Sequence, residues 1–562
     1  MSNTKYNYNE RNTMMIHLGQ MKSEFSSWRS TYQDISNYLS PRAGRYFISD
    51  RNRGERRNRA IYDSTATKDL RVLGAGMQSG GSSPARPWFR LAIGDKQMMR
   101  RSSVKLWLSD VTGLMLSVFA KSNTYGTLHQ MYEELGGFGT AASFVMDDFN
   151  NVIHHYPMTT GEFMIATNFR GEVSRLYREF EKTVFELVGE FGYKNCSNTV
   201  KSLYDTGSYG TWVPIIQAVE PRDVRDLTKR DAKNMPFKSC FFELGDDKGG
   251  FLRESGFKTF PALCPRWQVT GGDVYGDSPG QDAIGDIKQL QHQQLRKAQA
   301  IDYKTTPPLQ VPTHMKNREV EIFPGGTTYV DSSGSNGGVK TLFDTTLDLS
   351  HLLADIQDVR QRIHEIFYRD LFLMLSSQDT TRMTATEVAE RHEEKLVVLG
   401  PVLERLHKEL LSPLIDMTFQ RLLAAGVLPP PPEELHGQEL NVEFISVLAQ
   451  AQRAIATNGV DRFVMSLGTI AQGSGDVSVW DKFDKDEWAD VYSDMLGVPP
   501  ELIVADNKVA LIRQNRAQGQ QAAQAAALAE SGANTAKNLS QANTGGQNAL
   551  TDVMNMFSGY TT

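Results

Sequence analysis

A cluster of glycines is the feature of this sequence that could bind a nucleotide. Four of them stand close together, as glycines do in loops that cradle phosphates: Gly74, Gly76, Gly80 and Gly81. They lack the GxxxxGK[ST] spacing, they follow a helical rather than a strand pattern, and no acidic residue is placed after them to hold a ribose. We therefore predict a turn at these glycines and no nucleotide site.

Residues that could hold a metal ion or perform catalysis form no complete set. His154 and His155 precede Pro157 without a third ligand, and His392 lies in ERHEEK rather than in HExxH. An acidic run lacks the glycine and the ligand spacing of a calcium loop: Asp481, Asp484, Asp486 and Glu487. The sequence predicts solvated surface at each of these places. It predicts no catalytic residue, no metal and no cofactor, so we do not expect an enzyme.

The charge balance limits how the protein can meet nucleic acid. Its formal net charge is −6, whereas a protein that grips duplex DNA through its phosphates is usually basic. Tight sequence-independent binding is therefore disfavoured, but a surface past which DNA slides is not. One basic run, RNRGERRNR (51–59), could contact DNA or an acidic neighbouring subunit, or could be a solvated loop.

The other bulk properties are those of an ordinary globular chain. It is 40% hydrophobic and 22% charged, and no apolar run approaches the roughly 20 residues that span a bilayer, so we expect no membrane partner. The three cysteines, at 196, 240 and 264, form no CxxC motif. Their scarcity favours a reducing cytoplasm as the place of folding.

The elements that would position these residues begin with a mixed lobe over about the first 270 residues. Apolar residues at a spacing of three to four predict a helix over 101–121. Short apolar runs between turn residues predict strands at 143–149, 163–169 and 212–219. We therefore predict a bulky α+β lobe.

A helix with clear start signals follows this lobe. Ser278 as N-cap, Pro279 at the first position and Gln281 closing a capping box predict that it begins there and runs to about Lys304. Its apolar positions form a narrow stripe: Ile284, Ile287, Leu290, Leu295, Ala298 and Ile301. A helix with so thin a stripe is expected to pack sideways against similar helices.

A second helix of matching length is predicted over about 349–369. The segment 309–345 between the two helices is β-rich, with the strand-like runs EVEIF (319–323) and TTYV (327–330). Two equal helices with a small β module between their far ends predict a protruding stalk.

The C-terminal part of the sequence is predominantly helical. Thr384 and Glu387 form a capping box for a long helix that ends at Gly426, with bends predicted at Pro401 and Pro413. Residues 440–510 are again helical in pattern. The Gln/Ala-rich tail, 513–548, predicts a disordered or marginally helical terminus, or alternatively a helix that orders only in a ring.

An ordered set of segments resembles the head-to-tail connector, or portal, proteins of podoviruses, which are short-tailed bacteriophages. The resemblance runs over about 15–510 and is carried by IYDSTATKDLRVLGAGMQSGGSSPARPWFRL (61–91), SNTYGTLHQMYEELGGFGTAASFV (122–145), YGDSPGQDAIGDIKQL (275–290), PPLQVP (307–312), MTATEVAERHEEKLVVLGPVLERLHKELLSPLI (383–415), FISVLAQAQRA (444–454) and LGVPPELI (496–503). Each segment alone is suggestive, and their order makes the set specific.

The resemblance implies a portal fold, which is α+β and mostly helical. It implies the following regions: a wing (1–274), stem helix 1 (275–305), a β-containing clip (306–346), stem helix 2 (347–369), a channel loop (370–383), a long kinked wing helix with its linker (384–440), a C-terminal helical wing or crown (441–512) and a Gln/Ala-rich tail (513–562) that is disordered or part of the crown.

The resemblance also implies partners and a location. The chain would form a homo-oligomeric ring, typically a dodecamer, at one vertex of the capsid in the virion, after assembly in the host cytoplasm. Double-stranded DNA would pass through the ring during packaging and ejection. Terminase, which supplies the ATPase, would dock first and tail or adaptor proteins later, and capsid and scaffolding proteins would surround the ring.

Two groups of residues are the candidate contacts. The small polar channel loop would make short-lived phosphate contacts through hydroxyls and one arginine, or would be an ordinary helix connector: Ser376, Ser377, Gln378, Asp379, Thr380, Thr381 and Arg382. In the clip, Lys316 and Arg318 could contact phosphate or terminase. The competing interpretations are a nucleic-acid-handling enzyme, which would need a Walker motif or a carboxylate cluster, and another tail or internal virion protein.

Overall fold

The computed structural model describes residues 2–46, 58–99, 101–229, 231–245, 250–306, 309–310, 340–341, 350–376, 399–435, 440–446, 463–473, 480, 483–489, 504 and 506–541. Over these residues the chain is mixed α and β and mostly helical, as predicted. It divides into two units, one formed by Met1–Lys96 with Trp107–Asp484, the other by Gln97–Leu106 with Lys485–Thr562.

The helices confirm the predicted helix over 101–121 and the helix that begins after Ser278. In chain order they are α1 (Ser2–Tyr38), α2 (Thr65–Gly81), α3 (Lys96–Met99), α4 (Ser102–Lys121), α5 (Thr124–Phe138), α6 (Val184–Phe191), α7 (Asn198–Asp205), α8 (Pro279–Thr305), α9 (Ser350–Ile366), α10 (Arg369–Ser376), α11 (Ser412–Ala424), α12 (Phe463–Gly473) and α13 (Asp506–Gln541). A helix at 399–406 and a π-helical turn at His407–Leu411 lead into α11.

The strands confirm those predicted in the N-terminal lobe, whereas the strand at Leu440–Phe444 shows that the helix predicted over 440–510 is wrong at its start, where these residues pair with Phe89–Ile93. The strands are β1 (Phe89–Ile93), β2 (Ala142–Asp148), β3 (Val152–Met158), β4 (Phe163–Thr167), β5 (Val173–Thr183), β6 (Trp212–Pro221), β7 (Phe237–Glu243), β8 (Arg253–Phe257), β9 (Ala262–Leu263), β10 (Leu309–Gln310), β11 (Lys340–Thr341) and β12 (Leu440–Phe444). An antiparallel sheet has the order β4-β5-β6-β7-β8, a smaller one β3-β2-β9, and β1 pairs with β12.

The five-stranded sheet is covered on both faces because its side chains alternate between them. Met14, Leu18 and Met21 of α1 pack with Tyr177 and Phe242 on one face. On the other face, α6 and α7 pack through a second set: Val184, Leu187, Phe191, Val200, Ile215 and Phe241. The lobe therefore has three layers, with the sheet in the middle.

The four clustered glycines lie within α2, so the predicted turn is wrong. A Cβ on Gly74 would lie 2.7 Å from the Glu133 side chain, and one on Gly76 would lie 2.3 Å from the Phe372 ring. The missing side chains let α5 and α10 approach the helix closely. Gly74 and Gly76 therefore serve helix packing.

Helix α4 qualifies the expectation about membranes. Its residues Ser103–Lys121 reach a mean hydropathy of 1.2 and are long enough to cross a bilayer, which the sequence reasoning had overlooked. One face of this helix is packed inside the protein through Val111, Met115 and Phe119. Core helices of globular proteins have the same length and hydropathy, so this helix alone is not evidence of a membrane span.

The C-terminal tail is helical over Asp506–Gln541, which form α13, so of the interpretations left open by the sequence a helix applies to these residues. Alanine and glutamine are good helix formers, and their propensities add over a long segment. Arg513 of this helix donates from Nη1 and Nη2 to the two carboxylate oxygens of Asp486, both at 2.6 Å.

Glu134 of α5 is a buried acid that makes stability depend on pH. It accepts hydrogen bonds from the Thr159 hydroxyl (2.7 Å), from the Thr160 backbone N–H (3.3 Å) and from the Thr160 hydroxyl (3.2 Å). Burial raises the pKa of Glu134 from 4.5 to about 7, more than these bonds lower it.

We expect Glu134→Gln to change the pH profile of stability. Because the pKa is raised in the folded state, the folded protein binds the proton more tightly, and wild-type stability falls as pH rises between 4.5 and about 7. Glutamine does not ionise, so the variant does not lose stability in this way as pH rises. It should gain on the order of 3 kcal/mol relative to wild type across that window. Thermal unfolding at a series of pH values measures the difference, and a pH-independent difference would contradict the prediction.

Candidate channel and ring interface

Helices α8 and α9 lie side by side and antiparallel, and we call them the stem pair. Asp286 early in α8 pairs with Arg362 late in α9 at 3.2 Å, whereas Gln293 further along α8 contacts Asp355 near the start of α9. Over the described residues α8 has 27 residues and α9 has 17, and α9 ends at Ile366 rather than at 369. The predicted pairing of the two helices is present, and the residues directly before Ser350 lie outside the described ranges.

The start of α8 is fixed by side-chain and backbone contacts. The Gln281 N–H donates to the Ser278 hydroxyl at 3.1 Å, which confirms the N-cap. The Gln281 side chain instead donates to the carbonyls of Phe138 (3.2 Å) and Gly276 (3.3 Å), so the predicted capping box is not closed. The stem pair is thereby tied to the end of α5.

The middle of the stem pair is anchored on the segment before α2. The Gln291 side-chain oxygen accepts from the N–H groups of Tyr62 (2.7 Å) and Asp63 (2.8 Å), and its amide donates to the Asp63 carbonyl (2.9 Å). The Asp63 carboxylate accepts from Arg360 of α9 at 2.7 Å and from Gln294 of α8 at 3.0 Å. One carboxylate thus holds both helices.

The charge state of Asp63 follows from these contacts. Burial alone would raise its pKa, but hydrogen bonds from Thr65 and from Arg360 outweigh burial, and the pKa is lowered. The carboxylate is therefore ionised at neutral pH and keeps its pairing with Arg360.

The end of α9 has a second anchor. The Asp69 carboxylate of α2 lies 2.5 Å from Nδ1 of His364 and 3.6 Å from Nε of Arg369. Burial raises the pKa of Asp69, and His364 and Arg369 partly offset this. Between α9 and α10, Tyr368 has φ = +54°, which ends α9 and lets α10 start in a new direction.

The outer end of the stem pair leaves apolar side chains uncovered. Ile287 and Leu290 are fully buried, whereas further along the predicted stripe Ala298 is exposed and Ile301 is 43% exposed. On α9, Leu353 is 45% exposed. The narrow stripe therefore continues beyond the part that the chain itself covers, as packing against similar helices requires.

Comparison with known families decides what this arrangement is. The sequence profile of the family described as bacteriophage head to tail connecting protein matches residues 11–504. The chain belongs to this family. The resemblance drawn from the sequence segments is thus confirmed, and the connector is a portal subunit, a structural component of the phage particle at the capsid vertex where head and tail meet.

Two relatives of the connector match over nearly their whole length. A "Probable portal protein" of Bordetella phage BPP-1 is 58% identical over 552 residues, with 98% of this chain and 99% of the relative covered. A "Portal protein" of Salmonella phage epsilon15 is 44% identical over 547 residues, with 97% and 98% covered.

Two solved structures are also similar to the connector. A chain in the neck of an empty gene transfer agent particle, computed with C6 symmetry, is 12% identical with a TM-score of 0.35, covering 82% of this chain and 96% of that one. A chain in the virion of the native particle is 12% identical with a TM-score of 0.33, covering 84% and 99%.

The candidate contact residues lie mostly outside the part of the connector that the structure describes. Ser376 is the last residue of α10, so 370–376 of the predicted channel loop are helical rather than loop. The remaining loop residues, 377–382, fall outside the described ranges. The same holds for Lys316, for Arg318 and for 51–57 of the basic run, whose last two residues, Asn58 and Arg59, lie in the 3-10 turn Asn58–Ala60.

The predicted clip is described only at its two ends. Strands β10 and β11 pair antiparallel, with Leu309 opposite Thr341 and Gln310 opposite Lys340. The chain that leaves α8 is therefore paired with the chain that returns toward α9. The predicted strands EVEIF and TTYV lie outside the described residues.

The long predicted helix is described from 399 onward, and it deviates at Pro413. The turn before it, His407–Leu411, is π-helical. Proline lacks the N–H that would bond the carbonyl of Glu409, and a wider turn accommodates its ring. The predicted capping box of Thr384 and Glu387 lies outside the described residues.

Glu409 on this π turn forms an ion pair with an arginine that is itself buried. The Arg266 side chain, 3% exposed, donates from Nη2 to the Glu409 carboxylate at 2.8 Å and to the Gly171 carbonyl at 2.7 Å. Arg405 also pairs with Glu409 at 3.2 Å but is 34% exposed. The Arg266–Glu409 pair ties the long helix to the loop that precedes the stem pair.

The residues considered for chemistry take structural roles where they are described. His155 is buried with Nε2 3.0 Å from the Thr124 hydroxyl, and burial, together with the charge of Arg421, lowers its pKa to about 4. Asp486 pairs with Arg513. Among the described residues no group of histidine, cysteine or carboxylate side chains could hold a metal ion, while His392 and Asp481 lie outside them.

The residues that anchor the stem pair were missed by sequence reasoning. Gln291 and Gln294 stood out only as polar residues around an apolar stripe, and Asp63 lies far away in the sequence. The available signal was Gln291, a polar residue next to the apolar stripe of α8. A polar side chain that is buried there needs a hydrogen-bond partner from elsewhere in the chain.

Proposed function

We propose that the connector assembles into a ring, most simply a dodecamer, through which double-stranded DNA passes during packaging and ejection. The uncovered apolar positions at the outer end of the stem pair, Ile301 and Leu353, carry this proposal. Identical stem pairs set side by side around an axis would cover these positions. A closed ring then leaves a central channel.

The channel wall would be the polar face of α8. Gln289, His292 and Arg296 are exposed and recur every three to four residues. Amides, one imidazole and one guanidinium give weak, replaceable phosphate contacts. This fits the net charge of −6, because a wall that binds DNA tightly would resist its movement.

The clip and the wing would carry the partners. We propose that the clip, 306–346, docks terminase during packaging and tail or adaptor proteins afterwards, with Lys316 and Arg318 among its contacts. Capsid and scaffolding proteins would contact the wing. The connector would act by geometry alone, and the ATPase activity that moves DNA would belong to terminase.

Electron microscopy of the purified connector tests the proposal directly. Closed rings with an axial channel are the expected result, and class averages would give the subunit number. Monomers or open fibres at all concentrations would refute it.

The channel loop gives a separate prediction. Replacing 377–382 by a glycine–serine linker of equal length removes the side chains but keeps the connection after α10. We expect rings to form as in wild type, while phage complementation yields fewer DNA-filled particles because phosphate contacts in the channel are lost. Wild-type packaging by this variant would refute the loop's role, and loss of rings would show that the loop is a structural connector.

A further inference from the structure

A fully exposed aromatic side chain stands at the tip of the hairpin formed by β2 and β3. Phe149 has a relative exposure of 104%, so it contacts almost nothing in its own chain. The turn that presents it is rigid: Asp148 accepts from the Asn150 N–H at 3.1 Å and from the Asn151 side chain at 3.0 Å. We call Phe149 on this turn the knob.

An apolar groove lies beside the C-terminal half of α11. It has a volume of about 420 Å³ and is lined mainly by Trp107, Phe419, Leu423, Pro429, Leu435 and Leu440. The Trp107 indole N–H donates to the Pro429 carbonyl at 3.1 Å, which fixes one wall against another. A cavity of roughly 150 Å³ accommodates benzene, so the groove has room for a phenylalanine ring.

The knob and the groove lie on different flanks of α11. The hairpin of the knob is held by Arg421, which donates to the Val145 carbonyl at 2.7 Å and contacts the Asp147 carboxylate. At about 100° per residue, Arg421 points roughly 140° away from Asp416 and 160° away from Phe419 in the groove. The knob therefore cannot fill the groove of its own chain.

This arrangement is what a head-to-tail ring contact needs. In a closed ring of identical subunits each interface joins two different surfaces, so every subunit must offer both members of a complementary pair. Exposed aromatic side chains that enter apolar pockets are the usual centres of such contacts. The groove also contains the Asp416 carboxylate, and Asn150 next to the knob carries an amide that can donate to it.

We propose that Phe149 of one subunit inserts into the groove beside α11 of the next subunit and closes the ring at the level of the wing. The proposal rests on the ring of the proposed function and names one of its contacts. It commits to a second copy of this chain as the occupant of the groove.

Cross-linking tests the proposal in the full-length chain. The native cysteines at 196, 240 and 264 are buried and free, so Phe149→Cys with Leu423→Cys adds the accessible thiols; Leu423 is 61% exposed at the groove. Mild oxidation of assembled rings should give a ladder of covalent multimers on a denaturing gel. Each single variant should give dimers at most.

The matched control uses Phe169, which is 93% exposed at the tip of another hairpin. Phe169→Cys with Leu423→Cys should give no ladder. In addition, Phe149→Ala should raise the concentration for half-maximal ring assembly at least about tenfold, as expected for a central aromatic contact, whereas Phe169→Ala should not.

Three outcomes separate the proposals. Rings without a ladder, together with unchanged assembly of Phe149→Ala, would overturn the contact and leave the ring intact. An intrachain disulfide, seen as a monomer with altered mobility, would overturn it by showing that the groove takes its own hairpin. Wild-type protein that forms no rings would refute the proposed function itself.

Discussion

Gly139→Ala is expected to lower the free energy of unfolding by about 2–5 kcal/mol. A Cβ at this position would lie 2.2 Å from the carbonyl oxygen of Gly276, and the residue has φ = +79°. The obstacle is backbone, so no side-chain rotation can relieve it. The left-handed backbone adds strain for any residue with a side chain.

The effect should appear at the start of the stem pair. Gly139 and Gly276 approach each other from both sides, since a Cβ on Gly276 would lie 2.3 Å from the Gly139 carbonyl. Gly280 in the first turn of α8 is similarly close to backbone, since a Cβ on it would lie 2.5 Å from the carbonyl oxygen of Gly137. These contacts place α8 directly against the end of α5.

Gly126→Ala, in the first turn of the helix α5 that Gly139 caps, is the control. Its Cβ would meet nothing within 4 Å, so the variant should be more stable by roughly 0.5–1 kcal/mol, because alanine favours the helix. Thermal unfolding followed by circular dichroism compares the two. Equal melting temperatures for Gly139→Ala and wild type would refute the close backbone contact.

Arg266→Met is expected to destabilise the protein by about 2–4 kcal/mol, because the partly buried Glu409 carboxylate loses its buried partner and keeps only Arg405 and the backbone N–H of residue 266. Arg266 is 3% exposed and also donates to the Gly171 and Val274 carbonyls, which would lose their hydrogen bonds. Methionine keeps most of the volume, so the loss would reflect charge and hydrogen bonds rather than a cavity.

Arg405→Met is the matched control, since Arg405 pairs with the same carboxylate from a more exposed position. Partly exposed pairs contribute about 0–1 kcal/mol, so this variant should melt close to wild type. Denaturant unfolding measures both variants. Similar losses for the two arginines would show that burial of Arg266 does not set the strength of the pair.

Sequence patterns predicted the local elements well and their mutual arrangement poorly. The start of α8 was predictable because Ser278 and Pro279 act on their own helix end. The anchor of that helix was not, because Asp63 and Gln291 are separated by more than two hundred residues. Contacts of this kind depend on the whole fold.

Glycines show the same limit in another way. Those in α2 were read as a turn because glycine is common there, but their neighbours Glu133 and Phe372 come from distant segments. Likewise, the π turn before Pro413 was predictable only as a bend. The ring itself was predictable only by resemblance, because each interface forms between two subunits and no contact within one chain reveals it.

The anchoring of the stem pair has a mechanical consequence. Its polar contacts to Asp63 and Asp69 lie toward the N-terminal lobe, whereas residues 301–305 at the far end of α8 are exposed. The fourteen helical steps from Gln291 to Thr305 make an arm of about 21 Å at 1.5 Å per residue. A sideways load at the outer end therefore exerts its greatest torque on the Asp63 pivot, and the resulting strain is delivered to α2 and, through its packing, to α5 and α10.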